Sequence, residues 1–412
     1  MAGMAIEQIL RPKYNLAQRM SQMEVSAVRE ILKVTERPEI VSFAGGLPAP
    51  ETFPVEELAR SLAEVFRDDP GGALQYSTTE GYRPLREWIA ARMRCRGIDA
   101  TADRVLITSG SQQGIDLVSR IFLDAGDAVV VENPCYLAAL QTFSGYQARL
   151  LPVASDDQGM RVDQVERLLK RERPKLIYVV SDFHNPKGTT LSAERRGQLL
   201  ALSRRHGIPI LEDDAYGELR YRGEEILPIA ARDDDGLVIY LSTFSKTISP
   251  GVRIGWVVVG SDEVIAALTV AKQATDLHTS TLMQHAVSRM LSTFDYPAHL
   301  QRLRAIYGAR CDAMLQALET HFPASARWTQ PEGGLFIWAE LPRGVNGEEL
   351  LREALAELVA FVPGAPFFAH RPRENFIRLN FSNRPPEVID DGVRRLAQVL
   401  KRRGEVKYQH QL

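Results

Sequence analysis

An α/β fold is predicted, with a mostly parallel sheet in one large domain and a smaller α+β lobe after it. Two observations carry this. From about residue 105 to 260, continuous apolar runs of strand length alternate with amphipathic helical stretches. That is the pattern of a sheet covered on both faces. From Trp328 the pattern changes to short strands and short helices. The length of 412 residues exceeds one ordinary core, which agrees with a second unit.

The strands are read at Val105–Thr108, Ala128–Glu132, Leu176–Val180, Ile208–Glu212, Val238–Leu241 and Trp256–Val259. A helix follows Ser109-Gly110-Ser111, where Ile115, Val118 and Phe122 recur near helical spacing and Leu117 and Ile121 widen the stripe. Such stripes are core and carry no chemistry. Residues 1–45 read as an arm and entry segment of the small domain, 46–300 as the large domain and 301–412 as the C-terminal small domain. The stretch 265–320 is helix-rich and suited to bridging them. Gly333-Gly334-Leu335-Phe336-Ile337-Trp338 and Asn375–Phe381 read as strands of the lobe.

Composition narrows the function. A hydrophobic content of 45%, 25% charged residues and a net charge of −2 describe a globular chain with no basic face for nucleic acid and no charged block for a membrane surface. Cys95, Cys135 and Cys311 are widely spaced and odd in number, which argues against a disulfide framework or a zinc site and for a reducing cytoplasm. No metal is expected. Met1 to Tyr14 lacks the apolar core of a signal peptide, and the longest apolar runs are too short to span a bilayer.

In open α/β sheets, ligands bind beyond the carboxyl ends of the strands, so the residues just after each apolar run are the candidates. Ser109-Gly110-Ser111-Gln112 leads into a helix, whose first N–H groups and dipole attract an anion. Taken alone it is more often an ordinary cap with a turn glycine. Asn133-Pro134-Cys135-Tyr136 offers an aromatic that can stack on a ring or sit in the core. Asn185-Pro186 by itself is a turn signal. Glu212-Asp213-Asp214-Ala215-Tyr216 places carboxylates where they can face a cationic nitrogen, or merely cap a loop. In Ser242–Trp256, Lys246 stands among small hydroxyl residues and Arg253 follows seven positions later. A lone loop lysine is usually solvated. Among small hydroxyls it suits an amine that forms an imine with an aldehyde beside a phosphate. Asn375–Ser382 alternates, with Ile377, Leu379 and Phe381 on one face and Arg378 on the other.

Ser242 to Trp256 resembles the lysine signature of the fold type I, class I and II, pyridoxal-phosphate-dependent aminotransferases. The likeness runs from about residue 25 to 400 with the motifs in family order. It looks closest to the 2-aminoadipate and kynurenine aminotransferase branch, through Phe43-Ala44-Gly45-Gly46-Leu47-Pro48, Thr108–Gln113 and Ala274–Thr279. The resemblance implies a large domain on a mostly parallel seven-stranded sheet, a smaller α+β domain, and pyridoxal 5′-phosphate as cofactor. It makes Lys246 the Schiff-base lysine. It assigns the phosphate to Ser111, Gln112, Ser245 and Arg253 with Thr243 beside them, and the ring to Tyr136 and Asp213. The phenolic oxygen goes to Asn185 and Tyr216, and the substrate carboxylate to Arg378 and Asn185 with Gly45 nearby. Tyr76 would reach the phosphate site of the neighbouring subunit, so a homodimer with shared active sites is implied.

The reaction implied moves an amino group from an L-amino acid to a 2-oxo acid, 2-oxoglutarate or pyruvate. Two rivals use similar parts. A β-lyase, or an oxidative or decarboxylating enzyme, needs the same pocket. The loop around Asn185 favours such divergence, because Ser181, His184 and Lys187 depart from the family pattern. His184 and Lys187 are expected either to face solvent or to face the substrate cavity. There they would favour acidic or polar substrates and add a step titrating near neutrality. A transcriptional regulator on the same domain needs a winged-helix module, for which the short arm before Gly45 has no room.

Overall fold

The computed structural model describes residues 14–22, 31 and 37–409. Thirteen residues of the expected N-terminal arm lie before its first described position. Strand β1 (Val41–Ser42) belongs to the smaller lobe, whereas β2 (Val105–Thr108), β3 (Ala128–Asn133), β4 (Arg149–Asp156), β5 (Gly159–Met160), β6 (Leu176–Val179), β7 (Ile210–Asp213), β8 (Val238–Thr243) and β9 (Gly255–Val259) build the main sheet. Its order is β2-β9-β8-β7-β6-β3-β4-β5. The pairs joining β8, β7, β6, β3 and β4 are parallel, while β9 is antiparallel to both β8 and β2. Seven strands form the sheet as expected, and the two-residue β5 extends its edge as a hairpin on β4.

Sequence reading missed β4 for a physical reason. It holds Pro152, which has no N–H to give a ladder, and Arg149 is exposed. Only Leu151 and Val153 are buried along it, the half-buried alternation of an edge strand rather than a continuous apolar run. The strand after the helix Ala193–His206 begins at Ile210, two residues later than predicted. Ile208 donates its N–H to Ser203 O and completes the helix end instead.

Both faces of the sheet are covered. The helices Ser111–Phe122, Leu137–Gly145 and Asp262–Asp276 supply residues to one apolar cluster with Leu106, Val129, Tyr178 and Leu241. Val162–Leu169 and Ala193–His206 pack in another with Val130, Ile177 and Ile210. Each fully buried aliphatic side chain here contributes about 1.5–3 kcal/mol.

The smaller lobe is an antiparallel sheet. Its strands β10 (Arg327–Trp328), β11 (Phe336–Glu340), β13 (Val362–Pro363) and β14 (Phe376–Asn380) run in the order β10-β11-β14-β13, and β12 (Val359–Ala360) pairs with β1. The β11 strand starts at Phe336, not at Gly333. Gly333 and Gly334 instead loop over the Phe183 ring, where a Cβ on Gly333 would stand 2.2 Å from it. One continuous helix, Tyr296–His321, passes from the large body toward this lobe. The β1 segment is stitched to it twice: Phe43 donates to Ala360 O and accepts from Asn380 N–H.

The loop after β6 carries Ser181, His184 and Lys187, all buried. His184 Nε2 lies 3.2 Å from Glu132 Oε2 on β3. Lys187 donates to Asp156 O at 2.8 Å and to Ser155 Oγ at 3.3 Å on β4. Burial pushes the Lys187 amine below its usual range, against the pull of Glu132, Asp157 and Asp156. Both expectations for this pair are corrected: neither side chain faces solvent or lines the cavity, Lys187 being bonded to β4 and His184 buried beside Glu132 with neither ring nitrogen hydrogen-bonded. Replacing them together, His184→Gln with Lys187→Thr, should therefore cost about 1–3 kcal/mol of stability. A urea titration would show this as a lower midpoint with an unchanged slope; an unchanged midpoint would refute it.

Candidate active site

The carboxyl ends of β3, β6, β7 and β8 open into one cavity of about 1150 Å³ that also reaches β14 of the lobe. Lys246, Arg253, Ser111, Asn185, Asp213 and Arg378 all line it, so residues far apart in sequence converge here.

Lys246 ends the single helical turn Phe244–Lys246 that follows β8. Its Nζ donates to Gly46 O at 2.8 Å. Burial, with Arg378 and Arg253 as like charges nearby, lowers its pKa to about 8. Thr243 caps that turn: its Oγ1 accepts from Ser245 N–H at 3.1 Å and donates to Ile254 O at 3.0 Å. Ser245 Oγ lies 2.9 Å from Thr243 Oγ1.

The anion cradle sits opposite. Ser111 begins the helix Ser111–Phe122, whose first N–H groups have no partner within the helix. Arg253 adopts a left-handed φ of 52° and donates from Nη2 to Ser109 O at 2.8 Å. Gly110, with φ 82°, leaves room for it, since a Cβ there would stand 2.6 Å from Arg253 Nη2. Gly255 is equally constrained: a Cβ would lie 2.8 Å from Ser111 N. Gln112 lines the cavity, but its side chain is engaged elsewhere, with Nε2 donating to Thr142 Oγ1 at 2.7 Å. Only its main-chain N–H is available to an anion.

The three adjacent carboxylates divide cleanly. Glu212 accepts from Ile229 and Ala230 N–H, both at 2.9 Å. Asp214 is taken up by Arg96 at 2.6 Å and Tyr240 at 2.8 Å; Arg96 holds its carboxyl low although burial alone would raise it. Asp213 is the one turned to the cavity. Its Oδ2 accepts from Tyr178 at 2.8 Å, while Oδ1 is buried with no partner. Burial, against the Tyr178 bond and with Asp214 adding to it, raises Asp213 to about 7. A buried oxygen of this kind suits a cationic N–H donor.

Arg378, 3% exposed, is central in the lobe sheet, paired with Trp338 on β11 and Val362 on β13. Nη1 donates to Asn185 Oδ1 at 2.8 Å and Nη2 to Ala44 O at 2.7 Å. It forms no ion pair among the described residues, and burial lowers its pKa to about 10. The Phe336 and Phe367 rings lie 4.4 and 5.1 Å from its Cζ. Tyr216 also lines the cavity; burial drives its hydroxyl well up, against a hydrogen bond with Asn185. Tyr136 lines the wall where it precedes the helix Leu137–Gly145.

Two predicted residues stand apart. Gly45 is buried outside the cavity lining, which Gly46 and Leu47 provide. Tyr76 is 78% exposed and meets His278 edge-on at 5.8 Å, so within this chain it does not join the cavity. Ser181, His184 and Lys187 do not line it either. Sequence reading missed Tyr178, Phe336 and Phe367. Tyr178 carried a signal, because a tyrosine inside an apolar strand run needs a buried partner for its hydroxyl.

The residues fit pyridoxal 5′-phosphate: a cradle of helix N–H groups and Arg253 for a phosphate, an unbonded carboxylate oxygen for a pyridinium, and an amine poised near neutrality. Comparison with known proteins agrees. The family model "Aminotransferase class I and II" matches residues 39–396. The "Aromatic-amino-acid aminotransferase 1" of Thermococcus litoralis is 44% identical over 385 residues, 92% of each chain. The 2-aminoadipate transaminase of Thermus thermophilus is 44% identical over 92% of this chain and 95% of that one. The crystal structure of Pyrococcus horikoshii kynurenine aminotransferase, solved with PMP, superposes with a TM-score of 0.90 at 42% identity, covering 96% of this chain and 99% of that one. With a fold, a cavity and a sequence that agree over nearly its whole length, the chain belongs to the class I and II aminotransferases.

Proposed function

We propose that this aminotransferase carries pyridoxal 5′-phosphate on Lys246 and moves the amino group of an L-amino acid to a 2-oxo acid, 2-oxoglutarate or pyruvate. The observation that carries the reading is the pairing of Lys246, a lysine with pKa about 8, with Arg378, a buried guanidinium that has no carboxylate among the described residues, in one cavity. When bound, the cofactor supplies an electron sink for the bond at the substrate Cα. Arg378 grips the substrate carboxylate as a planar fork, with Asn185 orienting it. Lys246 Nζ takes the Cα proton. Asp213 holds a proton at the ring nitrogen, and Ser111, Ser245 and Arg253 hold the phosphate.

The rival reading as a lyase or decarboxylating enzyme rested on the loop at Ser181, His184 and Lys187. Those side chains are absent from the cavity lining, so no observation favours it. The exposed apolar residues Leu74, Tyr76, Val270 and Leu277 support a homodimer in which Tyr76 completes the partner's phosphate site. Three free thiols support a cytoplasmic location, and no helix among the described residues is long and apolar enough to cross a membrane.

Lys246→Ala should abolish turnover and leave no lysine-bound cofactor after borohydride reduction, with circular dichroism unchanged. Near-normal activity would refute the assignment. Lys246 is protonated below about 8 and free above it, so the rate of cofactor capture by the apoenzyme should rise with pH through about 8. Removing Arg378, a like charge, should move that midpoint upward; a downward shift would contradict the electrostatics. Mixing inactive Lys246→Ala with Tyr76→Phe should give hybrids whose activity differs from either parent if the sites are shared. A fully active monomer in sedimentation at assay concentration would exclude them.

A further inference from the structure

Behind the anion cradle lies a buried lysine that the reaction does not use. Lys272, on the helix Asp262–Asp276, is 0% exposed. Its ammonium has three hydrogens and finds three acceptor side chains: Asp276 at 2.8 Å, Gln113 Oε1 at 2.9 Å and Thr279 Oγ1 at 3.1 Å. Burial lowers its pKa, while Asp276 pulls the other way. Partial burial would raise the Asp276 carboxyl, but the bonds from Lys272 and Gln113 hold it below the usual range.

Every acceptor leads back to the cradle. Gln113 is in the first turn of the cradle helix; its Oε1 also accepts from Ser109 N–H at 2.7 Å, and its Nε2 donates to Asp276 Oδ2 at 2.7 Å. Ser109 Oγ stands 3.3 Å from Asp276 Oδ2 and 3.2 Å from Thr279 Oγ1. The carbonyl of the same Ser109 accepts from Arg253. Gly110, between Ser109 and the helix, has no side chain with which to fix itself. Its conformation is set by what holds its neighbours. An ion pair with Lys272 buried and Asp276 partly exposed adds little net stability, because desolvation of the amine and solvent screening of the carboxylate offset most of the Coulomb attraction. Its effect falls on geometry.

We propose that Lys272 is a positioning residue for the cofactor phosphate: through Gln113, Asp276 and Thr279 it fixes the main chain of Ser109 to Ser111, so that the helix N–H groups and Arg253 converge on one anion. The same node holds the chain of Asp276 to Thr279, including His278, against which Tyr76 packs. Cradle geometry and the placement of that exposed tyrosine therefore share one anchor. This inference rests on the reading of the cofactor as pyridoxal phosphate.

The test compares two ligands on the full-length apoenzyme, pyridoxal 5′-phosphate and pyridoxal, which lacks the phosphate. Binding is followed by absorbance and by quenching of protein fluorescence. Lys272→Met should weaken the phosphorylated ligand by about tenfold while pyridoxal changes by less than about twofold. Thermal melting and circular dichroism check the fold. Should Lys272→Met fail to fold, Asp276→Asn replaces it, with the same selective loss expected. Equal weakening of both ligands means a general structural role and overturns the proposal, as does no change in either. Wild-type protein that captures neither ligand overturns the cofactor reading itself, and this inference with it. Normal wild-type binding with an unselective variant overturns the inference alone.

Discussion

Positive charge without local compensation is the constraint on which the site depends. Lys246, Arg253 and Arg378 face one cavity, and Arg378 is almost wholly buried with no carboxylate partner among the described residues. Burying unpaired cations is costly, and the cost appears directly in the depressed pKa values of Lys246 and Arg378. Such an arrangement is stable only if the rest of the fold holds it and becomes favourable when anions enter. A phosphate at the cradle and a carboxylate at the arginine fork are the two anions it suits.

The surrounding carboxylates keep that charge unneutralised. Glu212 is engaged by two main-chain N–H groups, and Asp214 by Arg96, Tyr240 and Gly217 N–H. Asp182 is spent on Arg196 and Arg220. Each is tied to a cation or donor outside the cavity. Asp213 is the one of these that lines the cavity, its Oδ1 buried and unpaired, and burial keeps its carboxyl near pKa 7 rather than fully ionised. A cationic ring nitrogen placed there would pull that value down, so the carboxylate and a pyridinium stabilise each other's charged forms. The selectivity among three consecutive acidic residues arises from strand geometry: side chains alternate along β7, and the turn after it is closed by Asp214.

Most of this was legible in sequence because parallel sheets signal themselves twice. Buried strands are continuous apolar runs, and the residues just after them are the candidates, so position drew attention to Ser111, Asp213 and Lys246, while their roles came from the family resemblance. The missed strand β4 lies at the edge, where Pro152 and an exposed Arg149 break the run. The His184 and Lys187 reading failed for another reason. Sequence places both within two residues of Asn185, yet backbone direction at a tight loop decides which neighbour faces the cavity, and here His184 turns toward β3 and Lys187 toward β4. Long-range partners such as Tyr178 for Asp213, or Phe336 and Phe367 around Arg378, leave only weak marks in the order of residues.

The strap Ala44 to Gly46 ties the smaller lobe to the main sheet at the cavity. Its carbonyls two residues apart accept from Arg378 of the lobe and from Lys246 of the main sheet. The strap is itself locked between β12 and β14 through Phe43. The two cations that line one cavity are thus spaced by a short piece of main chain rather than by flexible side chains alone. Ala44 O and Asn185 Oδ1 occupy the two Nη groups of Arg378, while its Nε remains unbonded and buried. Those two bonds use two of the five N–H hydrogens of the guanidinium, so one on each Nη and the one on Nε stay open to an arriving carboxylate.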